Sequence, residues 1–255
     1  MRLHIEASGV GPDLVLLHGW AMHSGIWQGV RDGLARHFRV HLVDLPGHGS
    51  SPAYQPGTLE RMVEMVADTL PASCIVGGWS LGGQVAIELA LREPARVQKL
   101  VLISTTPCFV KREGWQWGMD VATLQLFMEN LKQDYKATIN RFLALAASGG
   151  SSDTASVLAR LRKNFFQRGA PDATALQAGL QILLMSDLRE RLRSVTQQAL
   201  LLHGENDVIT DPGAARWMNQ QLQNSNLIMF PRCGHAPFLS YPDQFAASIV
   251  RLFHK

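Results

Sequence analysis

Ser80 stands in Gly78-Trp79-Ser80-Leu81-Gly82, a G-x-S-x-G pattern. It follows the apolar run Cys74-Ile75-Val76 and opens a stretch with helical spacing, Leu81–Arg92. A tight strand-to-helix turn of this kind projects a serine hydroxyl above a sheet and leaves the next backbone N–H without an acceptor. The flanking glycines let two backbones approach closely. The plain alternative is a glycine-rich turn with a helix-capping serine. A serine hydroxyl needs a base before it becomes a nucleophile. Among nine histidines, His235 lies in Cys233-Gly234-His235-Ala236-Pro237-Phe238, between an apolar run and the last helical stretch. Loops at strand ends are where an open α/β sheet gathers its site. His18, His41, His48 and His203 read as structural.

The base needs an acid to fix its tautomer and stabilise the imidazolium. Asp207 follows the apolar run Ala199–Leu202, and the order Ser80, Asp207, His235 is a known triad order. Asp44 and Asp211 are rivals. Asp44 reads as tying down the Pro46-Gly47 turn, and Asp211 as capping the helix after Pro212. A developing oxyanion needs donors, for which the backbone N–H groups of Leu81 and Trp20 are the candidates. Trp20 and Trp79 read as walls of an acyl pocket or as ordinary core aromatics. This chemistry needs no metal and no organic cofactor.

The elements that must hold these residues alternate. Strands are expected at Leu14–Leu17, Val40–Asp44, Cys74–Gly78, Leu100–Ile103, Ala199–Leu202 and Leu227–Phe230. Continuous branched apolar runs suit strands covered on both faces. Helical spacing falls between them, at Ile26–Arg36, Leu59–Leu70, Leu81–Arg92, Pro212–Leu222 and Gln244–Phe253. The fold class is therefore α/β with a mostly parallel central sheet flanked by helices. Residues 108–186 break the rhythm with helical spacing at Val121–Leu131, Tyr135–Ala147, Thr154–Phe166 and Ala173–Leu184. The turn Ser148–Ser152 separates the middle pair. This divides the chain into a core, 1–107 and 187–255, and an all-helical lid, 108–186.

At 255 residues, with 46% hydrophobic and 18% charged, the chain can bury a large core, which excludes disordered and coiled-coil architectures. No apolar run approaches the roughly 18–20 residues that cross a bilayer. The opening Met1–Glu6 does not read as a secretory signal. The three cysteines, Cys74, Cys108 and Cys233, fit neither a disulfide framework nor a zinc spacing, and read as reduced, buried thiols of a cytoplasmic protein. A net charge of +3 is too small to argue for nucleic acid. It is unevenly placed. Tyr135–Arg168 carries Lys136, Arg141, Arg160, Arg162, Lys163 and Arg168 against the single acid Asp153.

Five pieces together resemble the α/β-hydrolases over nearly the whole length. They are Leu16–Trp20, Asp44–Gly49, Gly78–Gly83, Asp207 and Gly234–Phe238. A closer resemblance, carried also by Arg141–Leu145, Gly179–Leu183 and Asp187–Arg189, is to the BioH carboxylesterases of biotin synthesis. That resemblance implies hydrolysis of the methyl ester of pimeloyl-acyl-carrier protein. It implies contacts to the acyl chain or ester from Trp20, Ser80, Leu81, Phe142, Leu143, Ala144, Leu145, Ala146 and His235. It also implies lid cations that meet the acidic carrier. Arg141 matches one of these. Ala137, Thr154 and Leu158 stand where others are expected, and Lys136, Arg160, Arg162 and Lys163 lie close enough to substitute. The bland reading of these cations is a solvated helix face. Small esters are the second substrate class, and a monomer without membrane or nucleic-acid partners is expected. A broad short-chain carboxylesterase, a C–C bond hydrolase of the same fold and a hydrolase-fold receptor stay open as alternatives.

Overall fold

Each expected apolar run becomes a strand in a computed structural model that describes residues 2–52, 57–150, 154–168 and 171–253. The strands are β1 (Ile5–Ser8), β2 (Asp13–Leu17), β3 (Arg39–Val43), β4 (Cys74–Trp79), β5 (Val97–Ile103), β6 (Gln198–Gly204) and β7 (Ser225–Phe230). They form one sheet in the order β1-β3-β2-β4-β5-β6-β7. From β3 to β7 every pairing is parallel, whereas β1 runs antiparallel to β3, with Ile5 opposite Val43 and Ser8 opposite Val40. Periodicity missed β1 because its four residues, Ile-Glu-Ala-Ser, form an edge strand with no fully buried position. The inner strands are covered on both faces, and all six residues of β4 are buried.

The helices are α1 (Gln28–Ala35), α2 (Leu59–Ala67), α3 (Leu81–Arg92), α4 (Val121–Gln133), α5 (Tyr135–Ala147), α6 (Thr154–Gln167), α7 (Ala173–Met185), α8 (Pro212–Gln221), α9 (Pro237–Ser240) and α10 (Pro242–Phe253). The starts of α2, α5, α7 and α8 are written in the sequence as short acidic or hydroxyl caps. Asp134 Oδ1 accepts the Ala137 N–H at 3.0 Å to open α5, and Asp172 Oδ1 accepts the Thr174 and Ala175 N–H groups to open α7. Asp211 Oδ1 accepts the Gly213 N–H at 2.7 Å, and Pro212 follows as the first residue of α8, the capping role expected of Asp211. The short α9 was not legible. Its residues Pro237 to Leu239 are buried, and Phe238 packs edge-on against Trp79 at 5.0 Å.

Helices α4 to α7 lie in sequence between β5 and β6. Ser151 and Ser152 of the expected turn, and Asp153, lie outside the described residues. Several polar ties fasten these helices to the sheet layer. His23 Nε2 donates to Asn164 O at 2.7 Å, and Trp20 Nε1 donates to Leu176 O at 2.9 Å. Arg168 reaches down from the end of α6 to the buried Asp44 at 3.0 Å and to Glu6. Arg168 therefore pairs with the buried Asp44 and the half-buried Glu6, and does not belong with the solvent-facing cations of α5 and α6.

Candidate active site

The Ser80 turn is strained in the way a serine at a strand-to-helix corner must be. Ser80 has φ 56° and ψ −117°, a backbone conformation rare for a residue with a side chain. Its N–H donates to Ile103 O at 2.9 Å, and its carbonyl accepts the Thr105 hydroxyl at 2.7 Å, so both neighbours of the corner hold it. A Cβ at Gly78 would lie on the Gly82 carbonyl, which is why the pattern needs glycine there. Leu81 is the first residue of α3, so its N–H has no acceptor within the helix. The Gly19 backbone crosses directly over this corner. A Cβ on Gly19 would stand 3.0 Å from the Trp79 ring and 3.3 Å from Ser80 Cβ. That crossing brings the Trp20 backbone beside Ser80.

His18 fastens the Gly19 loop. Its Nε2 accepts the Leu45 N–H at 2.9 Å, so Nδ1 carries the proton and donates to Gly19 O at 2.8 Å. Burial pushes its pKa down to about 3, with the nearby His48 adding to the effect. Burial likewise lowers His23, His48 and His203. Unfolded imidazoles titrate near pH ~6.5, so below that the unfolded chain binds protons that the fold refuses. Stability is therefore complete above about pH 6.5 and falls as the pH drops towards about 3. The urea midpoint is expected to decrease steadily between pH 7 and pH 5, before ordinary carboxylates titrate. A midpoint constant over that range would contradict the neutral, buried histidines.

Asp207 and His235 meet beneath the β6 and β7 ends. Asp207 Oδ2 accepts from His235 Nδ1 at 2.8 Å, and both side chains are fully buried. Three further donors aim the carboxylate. The Ile209 and Thr210 N–H groups reach Oδ1 at 2.9 and 3.0 Å, and the Thr210 hydroxyl reaches Oδ2 at 2.7 Å. Burial alone would raise the Asp207 pKa, but the facing His235, His203 and these donors hold it below its ordinary value. Thr210 is a neighbour of the carboxylate that sequence reasoning missed, and His203, read from sequence as structural, stands 3.4 Å from Oδ2. No motif marks Thr210 because its role is set by a three-residue loop turn.

His235 is positioned from both sides. Its carbonyl accepts the Trp79 indole N–H at 2.8 Å, and its N–H donates to Ala146 O at 3.3 Å. The Trp79 and His235 rings stand 5.3 Å apart. His235 Nε2 is buried and has no hydrogen-bond partner among the described residues, and with Nδ1 turned to Asp207 it is the ring nitrogen left unshared. Ser80 and Nε2 are not hydrogen-bonded to each other here; such bonds commonly close only around substrate. Asp44, the rival acid, is occupied elsewhere. Its carboxylate accepts from Ser24 N at 2.6 Å, Ser50 N at 2.8 Å and Arg168 at 3.0 Å.

A cavity of about 180 Å³ opens onto Ser80 between the sheet and the α4–α7 helices. Trp20, Phe127, Phe142, Leu145 and Leu180 supply its mostly apolar wall, and Arg141 and Asn130 stand among the polar groups. Trp20 and Phe142 meet edge to face at 4.9 Å. The five-residue stretch from Phe142 divides by helical phase. Phe142 and Leu145 line the cavity, Leu143 packs in the hydrophobic core, Ala144 is exposed outside the lining, and Ala146 contributes its carbonyl to His235. Helical spacing on α4 could have signalled Phe127 and Asn130, but not that this face would cover a serine. The cations of α5 and α6 divide as well. Arg141 borders the cavity, whereas Arg160 donates to Leu239 O at 3.1 Å and borders a separate groove with Lys163. Lys136 and Arg162 are exposed.

Comparison with known proteins places this geometry among relatives. Residues 14–248 match the Alpha/beta hydrolase family. A pimeloyl-[acyl-carrier protein] methyl ester esterase of Nitrosospira multiformis is 59% identical, with 98% of each chain covered. The protein of the same name from Aeromonas salmonicida is 39% identical over 99% of each chain. Among solved structures, an esterase from Exiguobacterium antarcticum superposes with a TM-score of 0.91 at 23% identity, covering 99% of this chain and 96% of its own. That last likeness is one of fold, while the near-full-length identities extend through the α4–α7 insertion as well as the sheet. The chain belongs to the alpha/beta hydrolase family and, within it, to the family of the pimeloyl-[acyl-carrier protein] methyl ester esterases.

Proposed function

We propose that this protein is a serine carboxylesterase of biotin synthesis, which hydrolyses the methyl ester of pimeloyl-acyl-carrier protein to methanol and the free carboxylate. The observation that carries the reading is 59% identity over 98% of the chain to a protein of that name. In this reading Ser80 Oγ attacks the ester carbonyl as His235 Nε2 takes its proton. Asp207 holds the imidazole with Nε2 free and stabilises the cation that forms. The Leu81 and Trp20 N–H groups receive the oxyanion. Protonated His235 passes its proton to the departing methoxide, and methanol leaves. Water then attacks the acyl-enzyme, His235 again takes the proton, and Ser80 is regenerated.

The segment 108–186 acts as the lid, over a core formed by 1–107 and 187–255. The apolar cavity beneath it suits a methylene chain, with Trp20, Phe142 and Leu145 as its wall and Leu81 behind Ser80. Leu143 and Ala144 serve the lid's packing and surface rather than the substrate. The acidic carrier protein meets the exposed face of the lid, where Arg141 at the cavity mouth is the first contact and Lys136, Arg162, Lys163 and Arg160 extend the positive field. The enzyme works as a cytoplasmic monomer and needs neither metal nor cofactor.

Methanol release from the carrier-bound methyl ester, measured beside a small uncharged methyl ester, tests this reading. Arg141→Glu is expected to lower kcat/KM on the carrier substrate by about tenfold, through lost steering and docking. Raising salt should lower the wild-type rate on the carrier substrate alone, because exposed charges are screened beyond about 8 Å at physiological ionic strength. Phe142→Ala should instead weaken long acyl chains with or without the carrier. Activity confined to small esters, with no turnover of the carrier ester, would return the broad-carboxylesterase alternative.

A further inference from the structure

Glycine is a poor residue for the middle of a helix, because it has the most backbone entropy to lose. Gly179 nevertheless stands at the centre of α7, and it is buried. The helix is closed there against the Trp20 indole. A Cβ on Gly179 would stand 2.7 Å from Trp20 Cδ1 and 3.2 Å from Nε1, too close for alanine unless the ring or the helix moves. One turn earlier on the same helix, Leu176 O accepts the Trp20 indole N–H at 2.9 Å. Phe127 of α4 and Phe142 of α5 hold the ring edge to face, at 5.6 and 4.9 Å. Three of the four helices between β5 and β6 therefore grip one ring. The main chain that carries it is a tight turn. The Met22 N–H donates to Gly19 O at 3.2 Å, and Ala21, inside that turn, has φ 64°. A left-handed backbone is unfavourable for alanine and persists only where its surroundings fix it. His18 Nδ1 fixes the turn from the sheet side, at Gly19 O, and the gripped indole fixes it from the side of α7.

We propose that Gly179 is a positioning residue for the oxyanion donor: by letting α7 close on the Trp20 indole, it sets where the Trp20 N–H stands beside Ser80. This rests on the reading above in which that N–H receives the oxyanion, and it assigns to α7 a part in the chemical step itself. The indole and the N–H belong to one residue of a strained turn, so a push on the ring is passed to the donor. The open space beside the ring is the cavity over Ser80, and an added methyl at 179 would drive the ring that way. The second donor is spared. The same Cβ would stand 3.6 Å from Leu81 Cδ2, an ordinary contact. Donors of this kind are aimed at the oxyanion rather than at the ground-state carbonyl, so a displaced N–H costs the transition state and hardly touches substrate binding.

The probes are methyl hexanoate and its O-methyl thionoester, in which sulfur replaces only the carbonyl oxygen. Sulfur is a weak hydrogen-bond acceptor, so the ratio of the two kcat/KM values, oxygen over sulfur, reports the donors. Wild-type enzyme should favour the oxygen ester. Gly179→Ala should lower kcat on that ester by about tenfold with KM nearly unchanged, a part of the roughly 10²–10³ that a wholly lost donor costs. The oxygen-to-sulfur ratio should fall with it, by about fivefold. Trp20→Phe, which cuts the tie to Leu176 O without adding an atom to α7, should lower the ratio too. Trp20→Leu keeps the backbone N–H but vacates the space against Gly179. Adding Gly179→Ala to it should leave the ratio where Trp20→Leu alone puts it, the non-additivity of two residues acting through one contact. An unchanged ratio in Gly179→Ala and Trp20→Phe, equal losses on the two esters, or a full further fall in the Trp20→Leu background would each overturn the assignment. Failure of the oxyanion reading looks different, because the ratio would then be near one in the wild-type enzyme itself.

Discussion

Ser80→Ala is expected to abolish ester turnover and labelling by a fluorophosphonate, while the thermal unfolding midpoint stays within a few degrees of wild type. The size of the loss follows from covalent catalysis. Without Oγ there is no acyl-enzyme, and water would have to attack directly in a site built to hold a serine oxygen. Removing the serine of a comparable triad costs about 10⁶ in kcat. The remaining rate over water would come from the Leu81 and Trp20 N–H groups and from binding. The fold should tolerate the change because the Ser80 backbone contacts, to Ile103 and Thr105, do not use the hydroxyl. The strained φ of 56° is borne as badly by alanine as by serine, so it is no reason for a stability difference. Turnover within tenfold of wild type, in protein free of contaminating esterase, would remove Ser80 from the mechanism.

The second large effect is at Asp207. Asp207→Asn should lower kcat by about 10⁴, because an amide in place of the carboxylate favours the wrong imidazole tautomer. In this protein the argument can be made donor by donor. Oδ2 now accepts from both His235 Nδ1 and the Thr210 hydroxyl, and Oδ1 from two backbone N–H groups. An asparagine can keep one oxygen on the backbone pair only by turning its NH₂ towards His235. Nδ1 must then accept, the ring proton moves to Nε2, and Nε2 can no longer take a proton. Fluorophosphonate labelling should slow along with turnover. Asp44→Asn is the matched control. Its loss should appear first as stability, through the Arg168, Ser24 and Ser50 contacts. If Asp207→Asn kept near-native turnover while Asp44→Asn lost it, the acid would have to be reassigned.

The inner strands and the helices α4 to α7 were legible because burial on both faces writes continuous apolar runs and because helices announce themselves by phase and by caps. The run Val121–Leu131 became α4, and Tyr135–Ala147 became α5 with the same ends. The strained corner at Ser80 was legible too, since only glycines tolerate the close approach of β4 to α3 that it requires. What lay beyond sequence was anything decided by two distant segments meeting. Edge strand β1 has too few buried side chains to leave a periodic trace, and it exists because β3 offers it a partner. Arg168 looked like one more lid cation until folding placed it over Asp44 and Glu6, where pairing removes it from the surface field. Arg141 and Arg160, grouped in sequence as cations of one basic stretch, ended on different grooves because they stand on different helices, α5 and α6. Ser80, Asp207 and His235 could be picked out by residue type and chain order because those are what a nucleophilic serine would need. That Thr210 shares Asp207 with His235, and that Phe127, Phe142 and Leu145 turn an apolar face towards Ser80, depended on packing alone, because no local pattern records which face a helix will turn towards a serine more than forty residues away.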